Sequence, residues 1–206
     1  MNAGRQHWES VYAERAPTEV SWFEEVPRVS LDLIDSLHLD RAAPVLDVGG
    51  GASRLAGELL GRGFTDLTVA DISAGALERA RDELGPRADE VDWEVADVRD
   101  HDFGRQYELW HDRAVFHFMV DAADAGAYTD AARRAIASGG HAVVATFGPD
   151  GPTSCSGLSV SRYSAEEIAV AFGSGFELVA SREVEHHTPG GSRQQFVYAL
   201  LRRSTR

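Results

Sequence analysis

Asp47, Gly49, Gly51 and Asp71 are the residues of this chain best placed to hold a small ligand. The first three stand in Val45-Leu-Asp-Val-Gly-Gly-Gly-Ala-Ser53, and the fourth lies in Thr68-Val-Ala-Asp-Ile72. Residues 45–48 read as a buried strand that enters a glycine-rich turn and then a helix. A second strand ends on Asp71, roughly 20 residues further on. This is a βαβ unit for a nucleotide: glycines let backbone amides approach the ligand, and the later acid takes the ribose hydroxyls. A dinucleotide fingerprint would carry glycine at its first, third and sixth positions, but the sixth is Arg54. A bulky side chain there keeps the helix from packing closely and leaves less room for a pyrophosphate. Asp47, just before the glycines, would repel a pyrophosphate and suits a cationic ligand.

The acid-x-Gly-x-Gly pattern with a strand-ending acid downstream resembles motifs I and II of the class I S-adenosylmethionine-dependent methyltransferases. That resemblance covers essentially the whole chain. It implies S-adenosylmethionine as cofactor, with Asp47, Gly49 and Gly51 along its methionine portion and Asp71 on the ribose. It places Ile72 against the adenine face, Asp97 on the adenine amino group and the Val98 amide at the ring. Asp97 also reads as an acid that ends a strand in a turn. Trp110-His-Asp-Arg113 is similar to the Trp-Asp-Arg of thiopurine and thiol methyltransferases, with His111 inserted. Arg113 is therefore a candidate acceptor-side residue, or else pairs with Asp112 or another acid on the sheet rim. His117, among Phe116 and Phe118, is a candidate general base or a buried packing histidine. In similar enzymes the N-terminal segment folds over the cofactor, which gives Trp22 the role of a lid aromatic.

These residues need a framework to position them. Apolar spacing predicts a helix with His7, Trp8, Val11 and Tyr12 on one face, and another with Val29, Leu33, Ile34 and Leu37. Beyond Pro44, strands are expected near 44–48, 66–70, 91–96, 107–112, 139–147, 176–185 and 194–202. Helices are expected near 52–62, 73–84, 123–137 and 164–173, the last opened by a Ser164-x-x-Glu167 capping box. Alternation of this kind implies an α/β fold with a doubly wound, mainly parallel sheet. The last two strands leave no room for a helix between them and should form an antiparallel hairpin at one edge. A seven-stranded sheet of this kind is the Rossmann-like architecture of the family. The chain reads as one domain over 1–206, with a helical lid segment at 1–40 and a core at 41–206. Loops 16–25, 113–121 and 148–163 would form the acceptor side, and loops vary without leaving a rule. Cys155, in the last of them, reads as a small packing residue or as a contact for a soft acceptor.

At 206 residues the chain can bury a sizeable core, and 43% hydrophobic with 26% charged residues is ordinary for a globular protein. The net charge of −13 argues against nucleic acid or an anionic membrane as partner. All 20 basic residues are arginine, so the protein has no lysine of its own to methylate. A single cysteine excludes an internal disulfide and fits a reducing cytoplasm. No apolar leader or membrane-length run is expected. No histidine spacing matches a zinc site, so no metal is expected. His186 and His187 read as solvated turn residues. The acceptor is expected to be a small molecule, such as a thiol or other soft nucleophile. A protein lysine is the alternative, because Trp8-x-x-x-Tyr12 and Trp22-Phe23 are similar to features of small lysine methyltransferases. A non-catalytic cofactor-binding module and an NAD-dependent oxidoreductase are the more distant readings.

Overall fold

The computed structural model describes residues 3–14 and 16–205. Two helices come first, α1 (Ala3–Glu14) and α2 (Arg28–Ser36), on the apolar spacings expected of them. The alternating part follows: β1 (Val45–Val48), α3 (Leu55–Gly61), β2 (Leu67–Asp71), α4 (Ala74–Leu84), β3 (Val91–Val95), β4 (Tyr107–Arg113), α5 (Ala122–Ala135) and β5 (Ile136–Phe147). Two-residue strands β6 (Ser154–Cys155) and β7 (Leu158–Ser159) make a small hairpin inside the long loop. α6 (Ala165–Phe172), β8 (Phe176–His187) and β9 (Arg193–Arg203) complete the chain. Ser164 and Glu167 form the expected capping box on α6.

Seven strands make one sheet in the order β3-β2-β1-β4-β5-β9-β8. β1 to β5 run parallel, while β9 inserts antiparallel between β5 and β8. Every residue of β1 and β2 is buried, as expected of central parallel strands covered on both faces. Alternate residues feed two cores. Leu46, Val48 and Trp110 pack on one face of the sheet, and Val45, Leu67 and Leu109 on the other. The strand order reverses between β1 and β4, which opens a crevice at their carboxyl ends.

Several expected bounds change: α5 ends at Ala135 rather than 137, and β5 starts at Ile136 rather than 139. α3 starts at Leu55 rather than 52, because the chain is still turning through Gly51 with φ +47° and Ser53 Oγ accepts the Leu55 amide. β8 extends through His187, since the hairpin register continues to His186 opposite Gln194 and His187 opposite Arg193. The histidines read as turn residues therefore belong to a strand. His186 is buried and contacts the Ser21 carbonyl at 2.7 Å through Nε2, while His187 stays exposed.

The turn after β4 rests on a buried carboxylate. Asp112 accepts the Val115 and Phe116 amides at 2.8 and 2.9 Å and the Tyr128 hydroxyl, which in turn accepts Trp110 Nε1 at 3.0 Å. Burial pushes the Asp112 pKa up to about 6 in spite of these donors. The same turn holds Ala114 at φ +75°, a conformation that a residue with a side chain adopts only when its surroundings enforce it. Tyr128→Phe should destabilise the domain by roughly 1–3 kcal/mol in urea denaturation, because it takes Asp112's hydroxyl donor and Trp110's acceptor from a dry site. A change below about 0.5 kcal/mol would show that the network does not hold the turn.

Candidate active site

The crevice at the switch point is a cavity of about 260 Å³. Its floor is the glycine turn. Gly49 (φ +64°) would place a Cβ 2.0 Å from Val115 Cγ2, and a Cβ on Gly51 would stand 2.5 Å from the Tyr12 hydroxyl. Both positions therefore need glycine for backbone shape and for space. Arg54, at the sixth position of the turn, extends away from the floor. It pairs with Glu83 at 2.6 Å and lies over the Phe23 ring, 5.3 Å from its centroid.

Three strand ends supply carboxylates to the cavity wall. Asp47 is buried, and its Oδ1 meets His111 Nδ1 at 2.7 Å; His111 Nε2 meets Ser30 Oγ at 2.8 Å. The inserted His111 thus ties the acid of the glycine turn to α2. Asp71 is buried and accepts the Ser73 amide at 2.8 Å. Burial pushes its pKa up to about 7, with the nearby Asp47 and Glu9 charges adding to the effect. Asp97 is gripped by Arg99 through Nε at 2.9 Å and a terminal nitrogen at 2.6 Å; Arg99 also reaches Asp124 at 2.6 Å. That pairing holds the Asp97 carboxyl below its ordinary range. Ile72 and Val98 complete this end of the cavity.

The N-terminal residues form the roof. Glu9 on α1 accepts Ser73 Oγ at 3.0 Å and the Ala74 and Gly75 amides at 2.8 and 3.2 Å. A carboxylate from another helix thereby caps α4, where unpaired amides and the helix dipole favour negative charge. Ser73 joins this latch to Asp71, because its amide serves one acid and its hydroxyl the other. Trp8, Tyr12, Trp22 and Phe118 cluster above the floor, with ring centroids 5.0–6.4 Å apart. Sequence spacing placed Trp8 and Tyr12 on one helix face, but nothing local marked Glu9 as a cap for a helix more than sixty residues away.

Arg113 pins the segment carrying Trp22. Its terminal nitrogen donates to the Trp22 carbonyl at 2.7 Å, its Nε donates to the Tyr198 hydroxyl at 2.9 Å, and the same Nε lies 3.1 Å from Glu24 Oε2. The guanidinium also lies over the Phe196 ring at 4.7 Å. Its acid partner is thus Glu24 rather than Asp112. His117 is fully buried and does not reach the cavity wall; its ring packs on Phe118 and Phe147. Burial and the Arg113 charge lower its pKa to about 3, so it is neutral at ordinary pH. Cys155 and Leu158, from the small hairpin, close the cavity beside Ala114 and Phe118. All three loops expected on the acceptor side contribute to this wall.

Residues 45–140 match the family model for a methyltransferase domain. The match runs from β1 to the start of β5, the stretch that carries the glycine turn and the three carboxylates. Solved structures share the fold over nearly the whole chain. One, from work on conversion of a disulfide bond into a thioacetal group during echinomycin biosynthesis, is 22% identical, with 98% of this chain and 93% of that chain covered at a TM-score of 0.79. A methyltransferase from Anabaena variabilis is 17% identical, with 98% and 96% covered and a TM-score of 0.77. The N-methyltransferase NodS from Bradyrhizobium japonicum, in complex with S-adenosyl-L-homocysteine, is 17% identical, with 98% and 99% covered and a TM-score of 0.72. No curated protein sequence matches the chain.

The Glu9 latch is directly testable. Loss of a cap costs about 0.5–2 kcal/mol, so Glu9→Ala should speed amide exchange across residues 3–14 by roughly 2- to 30-fold and leave the sheet unchanged. Unaltered exchange would mean that the aromatic cluster alone holds α1.

Proposed function

We propose that this protein is an S-adenosylmethionine-dependent methyltransferase that acts on a small-molecule acceptor. One observation carries the reading: Asp47 and Asp71 end adjacent parallel strands on either side of a glycine turn, at the point where strand order reverses. Such a floor accepts a ligand with a cationic amino-acid end and a ribose, and it lacks the close helix start that a pyrophosphate needs. S-adenosylmethionine supplies a methyl group already activated on a sulfonium.

The chain's own residues then have separable tasks. Gly49 and Gly51 keep the floor open for backbone contact, with Asp47 beside the cationic end. Asp71 accepts the ribose hydroxyls, which replace water as its missing partners. Ile72 and Val98 bracket the adenine, and Asp97, held by Arg99, meets its amino group. Residues 3–40 act as a lid over the core, in which Trp22, with Trp8 and Tyr12, excludes water from the reacting centre. Arg113 positions that roof. His117, neutral and walled in, supports the turn behind the acceptor wall rather than exchanging protons there.

The small size of the cavity and its cover of aromatic, aliphatic and thiol groups favour a compact acceptor with an apolar body. Of Trp110-x-Asp-Arg113, the pattern behind the thiol-like reading, Arg113 lines this wall, while Trp110 and Asp112 are buried against Tyr128. The N1-methyltransferase of Burkholderia thailandensis, 18% identical, was solved with bound 1,6-didemethyltoxoflavin, a precedent in this fold for a small acceptor. Methyl-labelled S-adenosylmethionine incubated with the protein and a lysate of its source should label the small-molecule fraction. Label on a protein band would instead favour a lysine acceptor, and label in neither fraction would favour a binding module.

Cofactor affinity should depend on pH through Asp71. In the ligand-free protein its pKa lies near 7, whereas a carboxylate accepting two ribose hydroxyls is held ionised. Binding therefore releases a proton at low pH, and affinity should fall about tenfold from pH 8 to pH 6. Calorimetry on the wild type and on Asp71→Asn tests this; the variant should bind weakly with a flat profile. A flat wild-type profile would separate Asp71 from the ribose.

A further inference from the structure

The cofactor reading leaves two carboxylates of the cavity unused, Glu24 and Asp124, of which Asp124 is taken by Arg99 at 2.6 Å. Glu24 lines the cavity beside Arg113, at the carboxyl end of β4. Asp47, Asp71, Asp97, Asp112 and Glu9 all accept hydrogen bonds within the protein. Glu24 has a counter-charge at 3.1 Å in Arg113, yet among the described residues no donor hydrogen-bonds to its carboxylate. Its side chain keeps 21% exposure, so its oxygens are open to the cavity and not sealed in the core.

Arg113 is arranged the other way. Its Nε and one terminal nitrogen are taken by Tyr198 and Trp22, and the second terminal nitrogen is buried with no hydrogen-bond partner among the described residues. The acid is the more open member of the pair, with a side chain 21% exposed against 10% for Arg113. Burial raises the Glu24 pKa despite the Arg113 and His111 charges, which favours proton uptake by this group.

We propose that Glu24 is a catalytic residue on the acceptor side, receiving the proton of a small thiol, hydroxyl or amine whose nucleophilic atom enters protonated. This rests on the reading of the cavity as an S-adenosylmethionine site. The bond between nucleophile and hydrogen breaks and the proton joins Glu24, while the electron pair left on the nucleophile forms the new bond to the methyl carbon. The pair of the broken carbon–sulfur bond stays on sulfur, and Glu24 returns the proton to solvent. An acceptor that is already a stable anion would gain nothing from this carboxylate.

The test needs no acceptor. Sinefungin carries an amine-bearing carbon in place of the methylsulfonium, so at neutral pH it presents a cation where the transferring methyl would be. The wild type should bind sinefungin at least about tenfold more tightly than S-adenosylhomocysteine, the size of one charge-assisted hydrogen bond. Glu24→Gln should abolish that preference while S-adenosylhomocysteine affinity stays within about twofold. Glu24→Asp, which keeps the charge, should retain part of it. Equal weakening of both ligands in Glu24→Gln would overturn the proposal by assigning Glu24 to the cofactor's own ammonium group. A preference that survives in the variant, or is missing from the wild type, would overturn it as well. If the wild type binds neither ligand, the cofactor reading itself falls.

Discussion

Two carboxylates buried at the ends of adjacent parallel strands set the terms for the rest of this molecule. A charged acid removed from water costs several kcal/mol unless donors replace the lost hydration. Asp47 obtains its donor by way of β4, through His111, whose other nitrogen is anchored on Ser30 of α2. Asp71 has the Ser73 and Gly51 amides, yet burial outweighs them and pushes its pKa up to about 7. A ligand that brings hydroxyl donors makes good that deficit, so the same burial that destabilises the empty site favours the filled one.

The roof answers to the same two acids. Ser73 divides its amide and hydroxyl between Asp71 and Glu9, so α1 is latched two residues from Asp71. The aromatic segment that follows is held by carbonyl contacts on its two neighbouring residues. His186 of β8 reaches Ser21 and Arg113 of β4 reaches Trp22. Floor, roof and acceptor wall are therefore joined through side chains from remote parts of the chain. A segment held by a few polar contacts opens at a cost well below that of global unfolding.

Much of the floor was legible in the residues alone, because backbone geometry leaves few choices. Only glycine serves at Gly49 and Gly51, and only a strand-ending acid serves at Asp71. The sheet followed from alternation and from the missing helix between the last two strands. The roof and wall were legible in part: Trp22 was placed, but Glu9 and Glu24 were not. Their roles arise from partners far away in sequence, Ser73 and Arg113, and no local pattern encodes such pairings. His186 was misread for a related reason, since a strand that runs two residues longer turns a loop histidine into a buried one. His117 shows the converse: chemistry-bearing type and strand-end position suggested a base, and the structure encloses it among aromatic rings.

The central claim is that the Asp47–Asp71 cleft is a site for S-adenosylmethionine. A crystal structure of the protein with S-adenosylhomocysteine tests it most directly. The account predicts both ribose hydroxyls within hydrogen-bond distance of the Asp71 carboxylate, the amino-acid end beside the glycine turn and Trp22 over the ligand. A ligand bound elsewhere, or in the cleft with its ribose away from Asp71, would contradict it.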